Sequence, residues 1–132
     1  MYSLAKQLAG RMKAIMDIES EIAEAERNQQ GEEFVRDLEQ KRSDLIKTFT
    51  RDELLVIKTV MNVGRSERGY RYHFNSNEIE IIHLPIELTG PELMQKYSYY
   101  LVHKTKQELA NGIEYYTAVS EQLKEGMEIL KL

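Results

Sequence analysis

A chain of 132 residues with a formal charge of −4 and no cysteine has room for one domain with a real core. It excludes a disulfide framework, cysteine–zinc sites and thiol catalysis. Its 42% hydrophobic and 30% charged residues describe a globular protein, the net acidity argues against nucleic acid as a partner, and no apolar run approaches a membrane span.

The N-terminal stretch Met1–Arg11 lacks the apolar core of a secretion signal and runs on into charged sequence, so a cytoplasmic location is the default expectation. Met1, Leu8, Ile15 and Ile22 recur every seven residues, with Leu4, Ile18 and Ala25 at the companion positions and Arg11 as the exception. This predicts one amphipathic helix from residue 1 to about 28, roughly 42 Å long, usable either as core or as an intermolecular seam.

The apolar positions that follow, Phe34, Leu38, Leu45 and Phe49, fall out of that phase, so the chain is expected to fold back as a helical hairpin. Gly31 is then placed past the end of the first helix, and Glu32 and Glu33 open the second. Between Asp17 and Glu39 nine acids face two bases, a charge of −7, which leaves the remainder of the chain at +3. Glu24, Glu26, Glu32 and Glu33 at this acidic tip are candidate contacts for a basic protein partner.

Thr50-Arg-Asp-Glu53 is a capping box, with Phe49 and Leu54 at the two positions of a hydrophobic staple. The residues behind it (Leu54, Leu55, Val56, Ile57, Val60, Met61, Val63) are apolar on nearly every face, which predicts a buried central helix over 50–63. Gly64 is expected to end it as a left-handed cap, with Arg65 at the negative end of the helix dipole.

From Tyr70 the period becomes two. A turn around Ser76-Asn77 pairs Phe74 with Ile79 and Tyr72 with Ile81, setting rings and isoleucines on one face and Arg71, His73, Glu80 and Ile82 on the other. A two-stranded ribbon is marginal in water, so it should lie on the helices or pair with its copy. Thr89-Gly-Pro-Glu92, flanked by Leu88 and Leu93, repeats the capping-box signal. Beyond it Val102, Leu109, Tyr116, Leu123 and Leu130 keep a seven-residue phase across Gly112, which favours one long helix bent there over separate ones.

The fold class expected is therefore mainly α. A single domain over 1–132 comprises a helical hairpin (1–48), a short buried helix (50–63), an Arg/Tyr loop with one β-hairpin (64–88) and a long C-terminal helical region (89–132). The two seven-residue stripes predict a homo-oligomer of coiled-coil character.

Arg65, Arg68, Tyr70, Arg71 and His73 are the candidate ligand-binding residues, because guanidinium forks match phosphate oxygens and flat rings stack on a base. Gly64-x4-Gly69 is no P-loop, since the Lys-Ser/Thr pair is missing. His73, His83 and His103 lack ligand spacing, so no metal is expected. Of Tyr97, Tyr99, Tyr100, Tyr115 and Tyr116, most read as core or interface rings, with Tyr99 and Tyr115 the ones expected to be exposed. No nucleophile elbow or tuned acid pair is present, so neither catalysis nor a cofactor is expected. The function expected is an oligomeric binding protein holding or sequestering a small anionic ligand such as a nucleotide. The alternative is an inhibitor or adaptor that works through the acidic tip.

Overall fold

The computed structural model describes the backbone of residues 1–132 and every side chain outside 70–73. The chain is mainly helical, as its patterning predicts. Helices α1 (Tyr2–Gln7) and α2 (Ala9–Arg27) form nearly one rod. Leu8 between them has φ −87° and ψ −2°, yet its N–H still reaches Leu4 O and its carbonyl still accepts from Met12. The stripe residues Leu8, Ile15 and Ile22 are buried, but within the chain itself. The seam proposed for oligomerisation is thus occupied by the protein's own core.

The hairpin expected at 28–31 forms, with a different division of labour. Gln29, not a glycine, takes the left-handed conformation, with φ 52°. Gln30 N–H bonds Ala25 O and Gln29 N–H bonds Glu26 O, which is the paired closure of a Schellman motif. Gly31, with φ 98° and ψ 154°, instead serves as the N-cap of α3 (Glu32–Lys47), a backbone shape that side chains resist. Leu38 of α3 buries against Ile22 and Ala25. Arg42 and Glu19 pair across the hairpin at 3.1 Å, both largely buried. Phe34, one of the apolar residues used to phase this helix, is left half exposed.

Helix α4 (Arg51–Ser66) starts where its capping box predicts. Thr50 Oγ1 accepts from Glu53 N–H, the Glu53 carboxylate accepts from Thr50 N–H at 2.8 Å, and Phe49 and Leu54 are both buried. The helix is the centre of the core, packed by α1 and by three C-terminal helices: α5 (Gly90–Ser98), α6 (Lys106–Glu114) and α7 (Val119–Leu130). It does not end at Gly64. That glycine is helical and buried against α7, where an added Cβ would lie 2.0 Å from Gln122 O. A Cβ on Gly126 of α7 would meet Val60 O at 2.1 Å. Gly64 and Gly126 are therefore needed for close approach of two helices, and the left-handed cap assigned to Gly64 is corrected.

The C-terminal region is three helices rather than one long one. A third capping box, Thr105 with Glu108, restarts the chain at α6, and the Arg51 guanidinium holds the preceding turn by donating to the carbonyls of Val102 and Lys104. Gly112 lies inside α6, its carbonyl accepting from Lys58 Nζ at 3.1 Å; the helix ends later, at Glu114. The seven-residue phase survives because α6 and α7 both turn their apolar faces to α4: Leu109, Leu123 and Leu130 are buried while Val102 is exposed. The Tyr2 hydroxyl donates to Leu130 O at 2.6 Å and ties α1 to the end of α7.

Between α4 and α5 the antiparallel strands β1 (Tyr70–Phe74) and β2 (Ile79–His83) form a two-stranded ribbon. The register is the one alternation predicts, Phe74 opposite Ile79 and Tyr72 opposite Ile81. Asn75 and Glu78 exchange backbone hydrogen bonds around the turn, and Leu84 N–H to Gly69 O extends the pairing.

Candidate functional site

The Arg/Tyr segment leaves α4 at its last turn, where Arg65 is exposed. Arg68, in the loop that follows, places Nε 3.2 Å from Glu125 Oε2 of α7, so a carboxylate of its own chain already holds it. Glu67 between them caps α4 and accepts from the Tyr97 hydroxyl at 2.6 Å and from Lys96 Nζ at 3.2 Å. Burial, followed by that bond to Glu67, pushes the Tyr97 hydroxyl above its ordinary pKa, and the Glu67 hydrogen bond raises Lys96. The side chains of Tyr70, Arg71 and His73 lie outside the described residues.

Nearby, Lys58 is half buried and sits 4.6 Å over the Tyr116 ring. Burial lowers its pKa first, and the positive charges of Arg65 and Lys104 lower it further. Lys104 acts on Lys58 from the start of α4, where Arg51 holds its carbonyl, and Arg65 from the last turn, so the three cations are spread along the helix rather than gathered at one point.

The ribbon contributes the larger surface. Phe74 is 73% exposed, Ile79 64% and Ile81 56%, so the face expected to turn inward is open. Ile82, Leu84, Ile86 and Leu88 continue the exposure down to 36% at Leu88, the intended staple partner of the buried Leu93. The expectation that the ribbon lies on the helices is corrected for its described side chains. The signal was available in the composition: residues 79–88 hold seven aliphatic or proline residues with no helical period.

At the hairpin tip all four candidate acids are exposed, but they do not share one site. Glu26 and Glu32 line a cleft of about 540 Å³ with Gln29, Val35 and Arg36. Glu24 borders a smaller hollow beside Phe34, and Glu33 lines neither. Glu32 also stands 3.9 Å from Arg36, one helical turn on. A third cleft, about 750 Å³, separates the hairpin from the α6–α7 turn and is bordered by Glu19, Arg42, Glu114, Tyr115 and Glu121. These residues converge only through tertiary packing, and no sequence signal marks them.

Among the described residues no group of three histidines or acids is placed to hold a metal, and no helix is long and apolar enough to cross a membrane. Comparison with protein-family models, with curated proteins and with solved structures finds no match to this chain.

Proposed function

We propose that this chain is a non-catalytic protein-interaction module that engages another protein through the ribbon and the segment leading to α5. One observation carries this: large apolar side chains from Phe74 to Leu88 stand 36–73% exposed on an element with only one pair of strands. Phe74, Ile79 and Ile81 adjoin on one face in the register, apolar patches of this kind mark interaction sites, and an isolated two-stranded ribbon gains little stability of its own. Covering one of these isoleucines contributes about 1 kcal/mol, so a partner that covers several binds measurably. The test is a photo-crosslinking residue in place of Phe74, on the same side of the ribbon as Ile79 and Ile81, with a second at exposed Lys41 on α3 as reference. The reading expects protein adducts from position 74 that disappear in the Ile79→Asp/Ile81→Asp variant; adducts from position 41 alone would count against it.

Binding of a small anionic ligand is the second reading, favoured by exposed Arg65 in the last turn of α4 and by half-buried Lys58 on the same helix. It is weakened by the commitment of Arg68 to Glu125. A nucleotide that raises the melting temperature of the wild type, with the rise lost in Arg65→Ala, supports it.

A further inference from the structure

Resting on that reading, we infer that the partner joins the ribbon as a third strand on the outer edge of β2, through a segment that alternates apolar residues with lysine or arginine. The hydrogen bonds that bracket the ladder fix which backbone groups are free to receive it. Asn75 and Glu78 exchange N–H to O bonds at 2.9 and 3.4 Å, and Leu84 N–H donates to Gly69 O at 2.7 Å. In an antiparallel pair the bonded positions recur at every second residue, so Glu78, Glu80, Ile82 and Leu84 turn their backbone groups toward β1. Ile79, Ile81 and His83 turn theirs the other way, onto an edge that no third strand covers among the described residues. Every residue of β2 is exposed, so a further strand can approach it.

The side chains along this edge select the occupant. Ile79 and Ile81 share one face with Phe74, while Glu78 and Glu80 share the other, with Asn75 and His73 opposite them on β1. Residues set opposite one another in a sheet lie on the same face. A third strand therefore meets the isoleucines with every second residue and the glutamates with the residues between. Apolar residues opposite Ile79 and Ile81 widen the patch that Phe74 begins, and cations opposite Glu78 and Glu80 gain a counter-charge. Ile82 follows on the glutamate face, where the apolar stem of a long cation can cover it. From Phe74 to Leu88 the chain has three glutamates and no lysine or arginine. A second copy of this strand brings acid to acid, as does any acidic partner, so charge leaves a basic strand as the one that fits. Main-chain hydrogen bonds to Ile79, Ile81 and His83 supply the attraction, and the alternation supplies the choice of partner.

The probe is a fluorophore-labelled synthetic peptide of about nine residues, alternating valine and lysine, titrated with the purified full chain while anisotropy is read. Saturable binding is expected below about 500 μM, and a peptide with glutamate in place of lysine should bind at least about tenfold more weakly. Glu78→Lys/Glu80→Lys should weaken the lysine peptide by a similar factor with its helical circular-dichroism melt unchanged. Glu32→Lys/Glu33→Lys, at the acidic hairpin, should leave binding as it was. Methylating backbone nitrogens of the peptide separates strand addition from charge alone. Methyls on the valines, whose N–H groups face β2, should abolish binding; methyls on the lysines, whose N–H groups face away, should preserve it. Binding indifferent to valine methylation, or lost in Glu32→Lys/Glu33→Lys instead, overturns the inference, as does the lack of saturable binding in that range. The crosslink at position 74 keeps the two claims apart. An adduct with another protein while the peptide fails retains the ribbon as an interaction site and overturns strand addition; failure of both overturns both.

Discussion

The α4–α7 seam and the β-ribbon both join two neighbouring segments, but different forces hold them. At the seam, Gly64 and Gly126 let two helix backbones approach so closely that no side-chain atom fits between them. Dispersion and burial act there around both glycines, where the helices pack most closely. In the ribbon the described apolar side chains face outward, so its strands depend on their own hydrogen bonds. The seam is set by shape complementarity inside the chain; the ribbon has backbone order without cover. What the difference teaches is where to look for function: the part of the fold whose own packing is incomplete.

The contrast can be broken most forcefully at the seam. Gly64→Ala is expected to cost about 3 kcal/mol or more, since its methyl would collide with Gln122 O, and urea denaturation measures the loss. A cost below about 1 kcal/mol would mean that the seam yields easily and that the two regions differ less than described.

Thr105→Ala should cost about 1 kcal/mol in the same assay by removing the cap that restarts the chain at α6. The effect of pH is smaller and sharpens the role of the caps. Glu53 is held below its ordinary value of about 4.5, first by the hydrogen bond from Thr50 N–H and then by the Arg11 guanidinium 3.0 Å away. A carboxylate with a depressed folded pKa stabilises above its unfolded value and loses that contribution as pH falls through the folded one. Stability should therefore drop on going from pH 5 toward 3, and Glu53→Gln should flatten part of that drop. The smallest effect expected is a gain: Gln29→Gly relieves a left-handed residue and should add about 0.5 kcal/mol, read as a higher urea midpoint.

How much of this was legible in the chain depended on the range of the interaction. Local signals spoke clearly: the capping boxes at Thr50 and Thr89 start their helices, and alternation alone fixed the strand register. Thr105-Lys-Gln-Glu108 carries the same signal. The seven-residue phase runs across it and points to one helix, because two separate helices preserve that phase when both pack on a third. Gly64 reads locally as a stop because its reason for being glycine, the backbone of α7, is remote in sequence. The candidate site shared that fate. Three closely spaced arginines look like one ligand grip, but Arg68 is claimed by Glu125 across the fold. The ribbon's exposure likewise depended on whether a helix would come to cover it, which no short window of sequence decides.

The hydrogen bond from Tyr2 to the Leu130 carbonyl has a practical corollary. Because the two ends of the chain are tied side by side, a short linker can join them and new termini can be opened at the Ser76-Asn77 turn. Such a circular permutant keeps every helix intact and splits the ribbon into two free tails. It would offer a body stripped of its hairpin without the loss of a single residue.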